Sequence, residues 1–312
     1  NKWLEVQSAT KYLTLINMTV KILQGNCLDK LKDLPEQSVN TCITSPPYWG
    51  LRDYKEGEQL GLEETPEDFV NNLVEVFREV KRVLRDDGTV WLNLGDTFLP
   101  NKQLGCIPFK VAIALQYDGW FLRQDIIWQK PNPLPESVTD RCTKAHEYIF
   151  LLSKNKKYYY DNEVIKEDCV GKDERKWSDT YDNVGSIIQG DTNADIKRTK
   201  RYSKDGSFKR NKRSVWTVTT KPFKGAHFAT FPHDLIEPCV LAGCPEGGTI
   251  LDPFGGAGTT GLVANNHNRD AILIELNQDY IDLATKRLHK ECGMFLDLIV
   301  NSVSYTHLRA HE

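Results

Sequence analysis

The sequence predicts an α/β protein: a mainly parallel sheet with helices on both faces. Three observations predict it. Short β-branched runs alternate with stretches of helical period along most of the chain. A strand at 39–43 runs straight into the rigid turn Thr44-Ser45-Pro46-Pro47-Tyr48-Trp49-Gly50. A second strand, 249–252, runs into the glycine-rich turn Asp252-Pro253-Phe254-Gly255-Gly256-Ala257-Gly258, which opens a helix. Parallel strands need long crossovers, and the intervening helices supply them.

Val20-Lys21-Ile22-Leu23 forms the first strand (20–24), which ends in Gly25-Asn26-Cys27 and leads to a short helix near 28–33. Val39-Asn40-Thr41-Cys42-Ile43 reads as a buried strand. Thr65-Pro66-Glu67-Asp68 starts a helix, with a capping threonine, proline at the first helical position and an acid three residues past the cap. Val70, Leu73, Val74, Phe77, Val80 and Leu84 recur at helical spacing until Asp86-Asp87-Gly88 stops that helix. Then come a strand at 89–94, a helix at 108–117, and strands at 125–128 and 148–152 joined through the loop Lys130-Pro131-Asn132-Pro133-Leu134-Pro135. From 154 to 214 neither period holds, and a stretch of that length reads as an inserted functional element. Helix 232–242, strand 249–252, helix 259–266, strand 271–275 and helix 277–291 close the pattern.

With 312 residues and 40% hydrophobic content, the chain can bury the core of one large domain, or of a domain plus a module. No apolar run approaches the ~18–20 residues that span a bilayer, which predicts a cytoplasmic protein with no membrane partner. Eight cysteines are scattered singly without a C-x-x-C pair, so neither a disulfide scaffold nor a metal site is expected. The net charge of −3 carries no global signal for nucleic acid. Locally, Lys197, Arg198, Lys200, Arg201, Lys204, Lys209, Arg210, Lys212 and Arg213 face only Asp195 and Asp205, with Tyr202 and Phe208 interleaved. Such a run is either a solvated loop or a phosphate-contacting segment. Met18 directly precedes the first strand, so residues 1–17 read as a non-native leader; Ser302–Glu312 resembles translated adaptor sequence, and 296–312 is set apart as a tail.

The chemistry of the first turn follows from its residues. Two prolines stiffen the backbone and remove two N–H donors, which leaves carbonyls to accept. A hydroxyl precedes them, and Tyr48 and Trp49 can stack on a flat ring. A planar base carrying an exocyclic amine suits such a site; the plain alternative is a proline turn over a buried aromatic pair. The second turn offers helix N-terminal N–H groups, and with no Gly-Lys-Ser/Thr after it, it is not a P-loop. Gly256-x-Gly258-x-x-Gly261, with Glu275 at the end of the next strand, also spells the dinucleotide fingerprint, so a nicotinamide dehydrogenase competes. Against it, Asp252 sets a carboxylate at the strand end, which suits a cationic amino group better than a pyrophosphate.

Taken together, the two motifs resemble those of the β group of DNA amino-methyltransferases, enzymes that use S-adenosylmethionine. Ser45-Pro46-Pro47-Tyr48 stands in the place of the catalytic turn and Asp252-Pro253-Phe254-Gly255-Gly256-Ala257-Gly258 in that of the cofactor turn. Gly25-Asn26-Cys27 resembles the adenine-contacting turn, although Asp is common where Asn26 stands. Phe228-Ala229-Thr230-Phe231-Pro232 resembles the segment closing over the methionine end, and Ile274-Glu275-Leu276-Asn277 the ribose turn. The likeness covers roughly 20–153 and 215–291.

The resemblance implies a circularly permuted Rossmann-like methyltransferase sheet, order 3-2-1-4-5 plus antiparallel strands, with an inserted DNA-recognition segment. Residues 18–153 would be the catalytic half, 154–214 the target-recognition segment and 215–295 the S-adenosylmethionine-binding half. The catalytic set is then Ser45, Pro46, Pro47 and Tyr48, and the cofactor set Asn26, Cys27, Phe231, Asp252, Phe254, Gly256, Gly258, Thr260 and Glu275. DNA contacts fall to Trp49, Lys130, Asn132, Lys197, Arg198, Lys200, Arg201, Lys209 and Arg210. Asn93 and Asp96 either line the pocket or cap a turn, and His146 is structural. Serine rather than aspartate at position 45 favours cytosine N4, with adenine N6 the alternative. Double-stranded DNA is the implied partner and a cognate restriction endonuclease a candidate one, for a monomer or homodimer of bacterial or phage origin. A non-catalytic nucleic-acid-binding module is the third reading.

Overall fold

The computed structural model describes residues 18–51, 57, 59–168, 209–220, 231–293 and 296–301. Its strands are β1 (Met18–Gln24), β2 (Val39–Thr44), β3 (Leu84–Leu94), β4 (Phe121–Gln129), β5 (His146–Ser153), β6 (Glu167–Asp168), β7 (Lys209–Arg210), β8 (Val215–Thr217), β9 (Thr249–Asp252), β10 (Asp270–Glu275) and β11 (Leu296–Asn301). Its helices are α1 (Cys27–Lys32), α2 (Pro66–Val83), α3 (Ile107–Tyr117), α4 (His233–Gly243), α5 (Thr259–Asn266) and α6 (Gln278–Cys292).

Nine strands form one sheet in the order β11-β1-β10-β9-β2-β3-β5-β4-β8. The expected order 3-2-1-4-5 is the run β1-β10-β9-β2-β3, parallel throughout, and β5 pairs antiparallel with both β3 and β4. Strand order reverses between β9 and β2, where Thr41 pairs with Ile250 and Cys42 with Leu251. A crevice opens at the carboxyl ends of strands at such a reversal.

Alternation along β3 assigns the two layers. Val90, Leu92 and Leu94 join a core with Phe69, Leu73 and Phe77 of α2 and Val111 and Leu115 of α3. Trp91, between them, points the other way: a Cβ on Gly243 of α4 would stand 2.5 Å from its indole nitrogen. Helices therefore cover both faces, as strands buried on both sides require.

The start of α2 is as the sequence reads, with the Thr65 hydroxyl accepting from the Asp68 N–H. Its end is corrected. The helix stops at Val83 rather than at Asp86-Asp87-Gly88, and Leu84 is extended (φ −69°, ψ 141°), buried and paired with Val39. The N–H groups of Gln37 and Ser38 satisfy the carbonyls of Arg82 and Val83, so the strand partner supplies the cap.

Residues 161–213 form a compact unit of their own within the inserted stretch. In it β6 and β7 pair antiparallel, and Glu167 accepts from Arg210 (3.0 Å) and Arg213 (2.8 Å). Residues 296–301, expected in a discarded tail, instead pair as β11 along Met18–Leu23 of β1. Residues 1–17 and 302–312 lie outside the described residues. Among the described residues, no helix is long and apolar enough to cross a membrane.

Candidate active site

Asp252 ends β9 and Thr44 ends β2, so their side chains meet at the reversal point. The Thr44 hydroxyl donates to Asp252 Oδ1 at 2.6 Å, as does the Phe254 N–H at 3.1 Å, and the Thr260 hydroxyl donates to Oδ2 at 2.6 Å. The carboxyl is 1% exposed; burial pushes its pKa up and these three donors oppose the rise. Asp252 was expected to face a cationic amino group. Its carboxylate is instead engaged within the protein and joins β9, β2 and α5.

The glycine turn is held by the next strand. Gly255 N–H donates to the Ile274 carbonyl (2.8 Å) and Gly256 N–H to Glu275 Oε2 (2.8 Å). Asn277 N–H takes Oε1 (2.9 Å), and Gly25 N–H takes the Glu275 carbonyl (3.0 Å), which brings the 25–27 turn alongside. Burial raises the Glu275 carboxyl. Gly258 has φ +74°, and a Cβ there would press on Ala284 Cβ at 3.0 Å. At Gly256 a Cβ would meet nothing nearer than the Phe254 carbonyl at 3.9 Å, so the turn is open on that side.

The Asn26 side chain caps α1 by accepting from the Leu28 N–H (2.9 Å). Cys27 packs with Leu23, Phe254 and Ile272 against the core, and burial pushes its thiol up to about 12. Phe231 stands one residue before the Pro232 cap of α4; residues 228–230 lie outside the described residues. Sequence reading missed Arg287 of α6, which donates to the Ala257 carbonyl (3.1 Å) and the Thr259 hydroxyl (2.9 Å) and touches His233.

Across the crevice, Pro46 is buried and Ser45 half-buried. The Tyr48 ring lies against Gly95, where a Cβ would stand 2.5 Å from Cε2. Its hydroxyl donates to Glu147 Oε2 at 2.8 Å and lies 3.3 Å from the Ser45 hydroxyl and 3.4 Å from Asn93 Oδ1. Asn93 Nδ2 donates to the same Glu147 oxygen (3.2 Å) and to the Tyr148 carbonyl (3.1 Å), so Asn93 belongs to the site. Lys130 pairs with the other Glu147 oxygen and sits 4.3 Å over the Trp128 ring.

Glu147 was missed too, although the sequence holds its signal. An antiparallel strand begins where its parallel neighbours end, so a charge at the start of β5 falls beside the carboxyl end of β3; Leu94 pairs with Tyr148.

The other candidates divide. Asp96 caps, its carboxylate accepting from the N–H groups of Thr97 and Ile107 (both 3.0 Å) at the start of α3. His146 Nε2 lies 3.0 Å from the Tyr148 hydroxyl. Trp49 donates its indole N–H to the Glu63 carbonyl (2.9 Å) and packs on the core, while Asn132 exchanges two hydrogen bonds of 3.1 Å with the Thr220 backbone. Lys209 and Arg210 lie in the 161–213 unit; Lys197, Arg198, Lys200 and Arg201 lie outside the described residues.

Comparison with known proteins points one way. A family described as "DNA methylase", covering N6 and N4 methyltransferases, matches residues 39–286. The chain is 43% identical over 298 residues to the type II methyltransferase M.Cfr9I of Citrobacter freundii, covering 86% of this chain and 88% of that protein. It is 42% identical over 296 residues to M.SmaI of Serratia marcescens, covering 86% and 90%. Among solved structures, the cytosine-N4-specific PvuII DNA methyltransferase superposes with a TM-score of 0.64 at 21% identity, covering 86% of each chain. M1.HpyAVI, solved in complex with S-adenosylmethionine, superposes with a TM-score of 0.54 at 18% identity, covering 86% of this chain and 99% of that one.

Proposed function

The chain belongs to the N6/N4 DNA methylase family, and from that premise we propose that it methylates the exocyclic N4 of a cytosine flipped out of duplex DNA, with S-adenosylmethionine as donor. The observation that carries the reading is the junction of the Ser45-Pro46-Pro47-Tyr48 turn to the glycine turn through Thr44 and Asp252. Family membership sets the dehydrogenase reading aside. Cytosine over adenine rests on Ser45 at the first catalytic position, and the cytosine-N4 specificity of the PvuII enzyme supports it.

The chain's residues fit the donor. The glycine turn is open at Gly256, and Glu275 is an acceptor whose carboxylate keeps lone pairs beyond the bonds it accepts from the Gly256 and Asn277 N–H groups. Glu275 would hold the ribose hydroxyls, Asn26, Cys27 and Phe254 would flank the adenine, and Phe231, Gly258 and Thr260 would close the methionine end. Bound there, S-adenosylmethionine supplies a methyl group made electrophilic by its sulfonium.

An exocyclic amine is a poor nucleophile because its lone pair is delocalised into the ring. The Ser45 hydroxyl and the Pro46 carbonyl accept its hydrogens out of the ring plane and localise that lone pair. Pro47 fixes the turn and Tyr48 stacks on the base. Positioning and electrostatics carry most of the acceleration. Residues 154–214 contribute target recognition, with Lys197, Arg198, Lys200, Arg201, Lys209 and Arg210 on phosphates.

The test is label transfer from methyl-tritiated S-adenosylmethionine to duplex DNA, beside equilibrium titrations with S-adenosylmethionine and NADH. Wild-type protein is expected to bind only the former and to label DNA. Tyr48→Ala should bind the donor and transfer nothing, whereas equal loss of both would contradict the division between the two turns.

A further inference from the structure

Glu147, Tyr48 and Ser45 form a chain of hydrogen-bonding groups that ends at the hydroxyl assigned above to the target amine. We propose that Glu147 sets the direction of this chain, so that the Ser45 oxygen faces the amine as an acceptor. The inference rests on the amino-methyltransferase reading above and adds to it a positioning residue outside both motif turns.

A hydroxyl can donate or accept, and nothing in Ser45 alone decides which it does toward a bound base. An ionised carboxylate only accepts. Glu147 Oε2 lies 2.8 Å from the Tyr48 hydroxyl, closer than the Ser45 hydroxyl at 3.3 Å or Asn93 Oδ1 at 3.4 Å, so the single phenolic proton points at Glu147. The Tyr48 oxygen then has only lone pairs to offer Ser45, and the Ser45 proton, 3.3 Å away, turns toward it. Ser45 is left with lone pairs for the amine hydrogens, as the nucleophile requires.

The surroundings hold the carboxylate to that task. Asn93 donates to the oxygen that Tyr48 uses, and Lys130 pairs with the other. The Glu147 side chain is 15% exposed and that of Lys130 20%, so the charge is compensated where water is scarce. Asn93 Oδ1 is the weaker acceptor for the same proton, at 3.4 Å against 2.8 Å for Glu147, and its Nδ2 donates to Glu147 and to the Tyr148 carbonyl.

Glu147→Gln is the direct test, since an amide can donate to Tyr48 and reverse the chain. The single-turnover rate of methyl transfer to duplex DNA should fall about 10- to 100-fold, the range for a hydrogen bond to a charged group. The dissociation constant for S-adenosylmethionine should stay within about twofold of wild type. Tyr48→Phe breaks the same chain while keeping the ring and leaving Lys130 untouched, so it reads the proposal even if Glu147→Gln folds poorly; its rate should fall equally. In the double variant the losses should not multiply, because Glu147 acts only through Tyr48. A wild-type rate in Tyr48→Phe, or multiplicative losses, would overturn the proposal while leaving the amino-methyltransferase reading intact. Wild-type protein that labels no DNA would remove that reading, and this proposal with it.

Discussion

Thr44 and Asp252, 208 positions apart in sequence, are joined by a 2.6 Å hydrogen bond from the threonine hydroxyl to the buried carboxylate. Each is the last residue of its strand, so the bond ties the start of the catalytic turn to the start of the glycine turn. Thr44→Val keeps the shape and deletes one of three donors to a buried anion. It should lower unfolding stability by about 1–3 kcal/mol in urea titration, and Thr44→Ser should recover most of the loss. Equal stability of Thr44→Val and wild type would contradict the assignment.

Gly258→Ala carries two penalties, a left-handed φ of +74° and a Cβ pressed to 3.0 Å from Ala284 Cβ. Gly247→Ala carries only the first, with φ +72° and nothing within 4 Å. Both should lose about 1–2 kcal/mol to strain. Only Gly258→Ala should weaken S-adenosylmethionine binding, by about tenfold or more in calorimetric titration, because it moves the turn. Equal affinities would show that this turn does not hold the donor.

Stability should depend on Glu275 with a definite sign. Burial raises its folded pKa above the ordinary 4.5, so its contribution is fully present below that value and lost as pH rises through the raised one. Glu275→Gln loses backbone bonds at every pH but escapes the ionisation cost. The stability of the variant relative to wild type should therefore rise as pH climbs from the ordinary 4.5 through the raised value, read from urea midpoints. A falling difference would contradict the raised value.

Thiol chemistry should sort by burial. Cys27 and Cys244 are pushed up to about 12 and Cys42 well above its ordinary value, each by desolvation, whereas Cys106 and Cys142 are exposed. Iodoacetamide at about pH 8 should label Cys106 and Cys142 first and spare the other three until the protein unfolds. Peptide mapping by mass spectrometry reads the order, and early labelling of Cys27 would show that the 25–27 turn opens.

Both turns were legible because each is written in residues with few alternatives: two prolines after a strand, and glycines where a left-handed φ or a close helix leaves no room for a Cβ. Strand and helix alternation showed a mainly parallel sheet, and its order followed from the family resemblance that the two motifs carry. What sequence alone did not disclose depends on register and on partners far along the chain. The end of α2 is set by Gln37 and Ser38, and β11 by its pairing with β1; neither leaves a local mark. Asp252 looked like a ligand for a cation because a strand-end carboxylate is usually accessible, yet Thr44 and Thr260 fill it from two other elements. Glu147 stayed hidden as one charge at the start of β5 until the antiparallel direction of that strand placed it beside Tyr48.

The most direct measurement is nucleoside analysis by mass spectrometry of DNA from a methylation-free host expressing this chain, beside the same host expressing Ser45→Ala. N4-methylcytosine is expected with the wild-type chain, and its loss with Ser45→Ala. N6-methyladenine alone would contradict the assignment of cytosine to Ser45, and no methylated amine at all would contradict the amino-methyltransferase reading.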